Sequence, residues 1–219
     1  MRIVRLLNVG GFIATVLWVV AFLYSGSLRP EYSHYRQYVS ELAARGTPTQ
    51  HFMQMTGFVI PGLLIAGFGY SLGMPARHWL VAIAASFLIV GGMAKAVAGV
   101  FPMDPCCTSA PVSAAHEIHN IAGGVHYFTL GMAALMWAIA ARQMFERRFG
   151  WFRWYSLTSV VLAVASPLVL MWVGAAMPAD VGLFQRVSFG LLNLWIFVFA
   201  VLTWSQPAAN ANDPVGSNR

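Results

Sequence analysis

Asp104, His116, Glu117, His119 and His126 follow closely on one another in a chain that is otherwise strongly apolar. Imidazoles and carboxylates are zinc-type donors, and a catalytic zinc uses three protein ligands with water in the fourth position. His116, His119 and Asp104 meet that count, with Glu41 as a substitute carboxylate. The cofactor to look for is therefore a divalent metal such as zinc. The i, i+3 spacing of the two histidines is a looser signature than HExxH or paired CxxC, and neither of those occurs. Cys106 and Cys107 have no second pair to complete a thiolate site. As neighbours they bridge only with strain, because their Cα atoms lie closer than the usual disulfide separation.

The same groups support chemistry without a metal. Ser40, next to Glu41, is a candidate nucleophile, with His119 or His126 as base in an acyl-transfer site. Glu41, Asp104, His119 and Ser40 are thus the candidate catalytic set. Arg186, Lys95, His126 and Tyr38 are the candidate substrate contacts, Arg186 because a guanidinium fork grips carboxylate or phosphate. A plainer role for Arg186 is an interfacial anchor beside Asp180. Histidines, a lysine and acids at membrane depth also relay protons or bind solutes. Heme ligation is disfavoured, since the deep histidines share one helix and leave no axial pair across two.

A helix must hold these groups in register. At 100° per residue, positions 116, 119 and 126 fall within about 80° of one another, a single stripe. Lys95, the only lysine, precedes Phe101 by six residues on an antiparallel neighbour. That places it about 9 Å below the helix end, level with Gly123, while His126 is level with Gly92. The pairs Gly91-Gly92 and Gly123-Gly124 lie at that depth, and small residues let transmembrane backbones approach. The two helices are therefore expected in contact, with Lys95 and His126 facing one interior. A lone lysine there costs about 2.5–3.5 kcal/mol. It should either find Glu41, Asp104 or Glu117, meet water, or snorkel to the headgroups.

Composition identifies the solvent. Hydrophobic residues are 58% of 219 and charged residues 9%, far from the roughly one-quarter charged of a soluble domain. Six windows are apolar and long enough to cross a hydrocarbon core, at about 6–24, 53–73, 79–101, 117–142, 154–177 and 184–204. They are too continuous for barrel strands, so the expected fold is all-α, a polytopic six-helix transmembrane bundle over 1–204. Pro61 and Pro167 should kink the second and fifth helices. The polar, proline-bearing tail 205–219 is expected to be disordered.

Arg2, Arg5, Arg77, Arg142, Arg147, Arg148 and Arg153 fall on one side if six helices alternate, which puts both termini in the cytoplasm. The net charge of +6 is then a topology signal split across two sides, and a nucleic-acid partner is excluded. Membrane lipids are the expected partners and the cell membrane the location, the inner one in a Gram-negative cell. The first segment resembles a signal peptide in its basic start, but its apolar run is long for one. In the first outer loop, Pro30 and Gly46 bracket a helix near Pro30–Arg45. Its tyrosine face and polar face describe an amphipathic segment at the interface.

The run Tyr32-Ser33-His34 through Ser40-Glu41-Leu42, the turn Gly99 to Asp104, the histidine that follows it, and Gly182-Leu183-Phe184-Gln185-Arg186 together resemble the DUF998 family of six-helix membrane proteins. The resemblance covers most of the chain and implies a six-helix fold without a settled activity. More remotely the chain is similar to the Frag1/DRAM/Sfk1 group, which implies lipid handling. The DUF998 resemblance lends weight to Ser40, Glu41, Asp104, His116 or His119, and Arg186; Lys95, His126 and the cysteines lie outside its motifs.

The leading expectation is a membrane enzyme or binding protein with an outward-facing polar site, acting on a lipid or amphiphile at the outer leaflet. Alternatives are a small-solute or proton transporter using the same cluster, and a non-catalytic subunit of a membrane complex.

Overall fold

An apolar run surrounded by hydrocarbon must close its amide hydrogen bonds within itself, and a helix does so. The computed structural model describes residues 2–74, 76, 78–105, 111–144, 150–176 and 180–204, and among these there is no strand. Six helices carry the fold: α1 Arg2–Ser27, α2 Gln50–Gly73, α3 Trp79–Val100, α4 Ala114–Met144, α5 Gly150–Ala176 and α6 Val181–Trp204. Within them Leu7–Ser27, Gln50–Gly73, Trp79–Val100, Ala114–Ala140 and Val181–Trp204 are long and apolar enough to span a membrane. Val20, Leu63, Ile121, Phe128, Val161 and Leu168 point outward, each more than half exposed. Such a surface suits lipid and would be a liability in water. The protein is a multi-pass membrane protein.

Each helix packs on its sequence neighbour and α6 returns to α1, giving a closed ring. One half of the ring is filled by Ile65, Phe68, Leu88, Leu130, Trp137, Phe152, Trp195 and Phe199, drawn from five helices, with Ala14 of α1 completing the set. The other half, where residues 28–49 and 101–105 connect helices, has a smaller core of Trp18, Phe22, Tyr32, Val39, Leu42 and Met53. We call this the loop end.

Glycines set the closest helix approach. A Cβ on Gly62 would sit 2.5 Å from the Gly92 carbonyl oxygen, and one on Gly92 would sit 2.5 Å from the Ala66 nitrogen. Gly92 therefore serves the α2–α3 crossing. Gly91 serves α3–α4, where a Cβ would meet Thr129 Oγ1 at 2.6 Å. The expected α3–α4 contact is present, but Gly123 and Gly124 do not make it: a side chain at either would meet open space.

Pro61 follows a π-helical turn, Gln54–Val59. Proline lacks an amide hydrogen and crowds the carbonyl four residues back, and a widened turn accommodates both. At Pro167 the helical backbone of α5 continues without a break.

The expected helix over Pro30–Arg45 is not formed. Turns lead instead to a 3-10 helix, Val39–Ala43. Partners outside the segment compete for its carbonyls. Arg186 takes those of His34 and Gln37 at 2.5 and 2.8 Å, and Leu183 N–H takes that of Tyr35 at 3.0 Å. Tyr32 is buried while Tyr35 is 62% exposed, so the tyrosines do not share one face. The tail 205–219 and Cys106-Cys107 lie outside the described residues.

Candidate functional site

Beneath the loop end lies a cavity of about 230 Å³. Trp18 of α1, Phe58 of α2 and Phe189 of α6 give it apolar walls; Lys95 and Ala98 come from α3, and His119, Asn120, Gly123, Gly124, His126 and Tyr127 from α4. Val39 and Ser40 of the loop and Gln185 of α6 complete the lining. The loop is tied across it by the 2.7 Å bond from Val39 N–H to Gln185 Oε1.

The helical stripe fixes the imidazoles. His126 Nδ1 lies 2.8 Å from the Gly91 carbonyl oxygen, and His119 Nδ1 lies 2.8 and 3.0 Å from those of Ala98 and Phe101. A carbonyl only accepts, so Nδ1 carries the hydrogen in both rings and, in the neutral ring, Nε2 keeps a lone pair. Among the described residues, His126 Nε2 is buried and has no hydrogen-bond partner.

Lys95 is 3% exposed, so it does not snorkel to the surface. Its Nζ lies 5.4 Å from the centroid of the Trp18 ring. Among the described residues it makes no ion pair, and the three expected carboxylates are elsewhere. Glu41 Oε1 accepts from Tyr38 N–H at 2.8 Å and Oε2 from Gln37 Nε2 at 3.0 Å, capping the 3-10 helix. Asp104 accepts from Ser113 N–H at 2.7 Å and Ser113 Oγ–H at 2.8 Å, capping α4. Glu117 is exposed.

Two of the α4 lining residues, Asn120 and Gly124, are exposed as well as lining, and Gly123 beside them adds bare backbone, which leaves a gap in this wall. Ile121 and Phe128 flank this gap, 67% and 63% exposed. The cavity thus reaches an apolar outer surface. Nearby, Tyr127 stacks on Phe189 with ring centroids 3.9 Å apart, joining α4 to α6.

Arg186 belongs to the loop rather than to the cavity. Its Nη1 donates to the carbonyls of His34, Gln37 and Gly182, its Nη2 to Tyr32 Oη, and its Cζ stands 5.7 Å from the Phe22 ring. Tyr32 passes its own hydrogen to the Tyr38 carbonyl at 2.8 Å. Burial pushes the Tyr32 phenol up to about 12, partly countered by the Arg186 guanidinium, so it stays a neutral donor. Gly182 allows this docking: a Cβ there would run into the Gln37 backbone.

Residues 12–202 match the model of a family described as a protein of unknown function, DUF998. The chain belongs to the DUF998 family. No curated protein and no solved structure matches it. In this DUF998 member the motifs that carry the resemblance meet at the loop end. Tyr32 and His34 join Arg186, and Arg45 N–H donates to the Met103 carbonyl at 2.8 Å, linking the loop to the Gly99–Asp104 turn.

The candidate residues divide accordingly. Ser40, Lys95, His119 and His126 line the cavity, whereas Tyr38, Glu41, Asp104, His116 and Arg186 hold the loops that cover it. Of the expected Glu41–Asp104–histidine cluster, Asp104 meets His116, with Oδ2 3.9 Å from Nδ1, and each carboxylate serves as a cap. Metal binding by His116, His119 and Asp104 is unsupported. Among the described residues no group of three or more His, Cys, Asp or Glu side chains could hold an ion. His116 Nδ1 accepts from Asp104 N–H at 3.2 Å, and His119 Nδ1 is held by two carbonyls. Trp18, Phe58, Tyr127 and Phe189 were not singled out from sequence, since an aromatic in an apolar helix carries no mark of facing a cavity. Ser113 was legible as a helix cap, but the window at 117 began one turn late.

Proposed function

We propose that the protein is a membrane enzyme or binding protein that takes a lipid or amphiphile into the cavity sideways, past the Gly123-Gly124 backbone of α4, with the loop end facing outward. The observation that carries the reading is Lys95, a buried amine without a carboxylate partner in a cavity whose other walls are mostly apolar. A polar head would sit at Lys95 and the imidazoles while its apolar part leaves through the Gly123-Gly124 gap into lipid. Arg2, Arg5, Arg142 and Arg153, on the helix ends opposite the loops, support the orientation, since positive charge is retained on the cytoplasmic side. Ser40 and the Nε2 atoms of His119 and His126 supply a hydroxyl and two bases, which suits acyl transfer or hydrolysis.

The gap supplies the test. Gly123→Leu fills open space and should fold normally. A photoactivatable uncharged amphiphile should label α3 or α4 of the wild type in nanodiscs and label the Gly123→Leu variant far less. Equal labelling of both, or none of the wild-type cavity, would remove the reading.

A further inference from the structure

Resting on that reading, we infer that the amphiphile carries an acidic headgroup, a carboxylic or phosphoric acid, recognised jointly by Lys95 and His126. The cavity is asymmetric in charge. Lys95 Nζ is an amine that holds a positive charge readily once an anion is beside it, and the indole face of Trp18 at 5.4 Å is its only partner of negative character among the described residues. Glu41 and Asp104, the acids nearest in the fold's logic, are held by Tyr38, Gln37 and Ser113 and do not line the cavity. Charge buried without a counter-charge is costly, so a ligand that brings one is selected over a neutral isostere.

His126 adds the second half of the code. With Nδ1–H committed to the Gly91 carbonyl, its buried Nε2 is left as an acceptor with nothing among the described residues to accept from. An unfilled acceptor beside an unfilled cationic donor matches a group holding an anionic or carbonyl oxygen next to an O–H. A monoprotonated phosphate ester has that pair outright, and a carboxylic acid matches it with its proton shared with His126 Nε2 while the other oxygen meets Lys95. An ester or ketone offers only the oxygen, and an alcohol lacks the anionic one. The backbone at Gly123-Gly124 leaves room for a chain attached to that head.

The test is thermal stability of the delipidated full chain in neutral detergent, titrated with oleic acid, dodecyl phosphate, octadecanol, methyl oleate and inorganic phosphate. Oleic acid and dodecyl phosphate should protect at concentrations at least tenfold below octadecanol and methyl oleate. Lys95→Met, which removes a buried charge and should fold, should abolish that preference while still being protected by the neutral chains; His126→Phe should weaken it. Equal protection by acid and neutral amphiphiles in the wild type would overturn the acidic headgroup and leave the lateral cavity standing. Inorganic phosphate protecting as well as dodecyl phosphate would overturn the amphiphile. A preference that survives in Lys95→Met would overturn the assignment to this amine.

Discussion

Arg186 shows how a side chain suited to a ligand can spend its Nη donors on its own chain. Its position at the start of a transmembrane helix suggests a headgroup clamp, yet its donors go to three backbone carbonyls and a phenol of the same chain. A lysine cannot reproduce a fork of that geometry. Arg186→Lys should therefore cost about 2 kcal/mol and free the loop. Limited trypsinolysis at the exposed Arg36 should be faster in the variant, and unchanged cleavage would count against the latch. Asp104 is a second such case. The Ser113 N–H, then its hydroxyl, hold the Asp104 carboxyl below the usual carboxylate range, with smaller help from Arg45 and His116. A depressed folded-state pKa means stability that is present above about pH 4, the unfolded value, and lost as pH falls through the lower one. Asp104→Asn should melt lower than wild type at pH 7, and the two melting temperatures should converge at acid pH.

At the scale of elements, the six helices and their order were legible because hydrophobic length is a strong signal. So was the opposition of Lys95 and His126 across α3 and α4, which follows from helical rise alone. The fate of the loop was not. Its residues alternate well enough for an amphipathic helix, but Arg186 and Gln185, roughly 150 positions away, recruit its backbone. The glycine pairs were half legible: their depth was right, their partners were not, since a glycine does not announce which neighbour it admits. The α2–α3 crossing makes this testable. Gly62→Val places carbon on the Gly92 carbonyl and should destabilise by about 1–3 kcal/mol. Gly123→Ala, facing space, should be close to neutral in the same detergent melt.

For the whole molecule, the ring has two unlike halves. The cavity and the buried ionisable side chains Glu41, Lys95, His119 and His126 gather at the loop end, whereas the opposite half is filled by Phe68, Leu88, Leu130, Trp137, Trp195 and Phe199, each 5% exposed or less. A transport path would have to cross that layer. Protein reconstituted in liposomes should thus show proton and small-solute flux no higher than empty vesicles, and flux that depended on Lys95 or His126 would reopen the transporter alternative.

Lys95 has one more consequence. Because it is the chain's single lysine and is buried, a water-soluble activated ester finds no side-chain amine to acylate, while a lipid-soluble one, used after the terminal amine has been blocked, finds a single target in the cavity lining. Intact mass would then read occupancy directly. Whatever molecule is seated at Lys95 shields it, and the unlabelled fraction counts the cavities that are full.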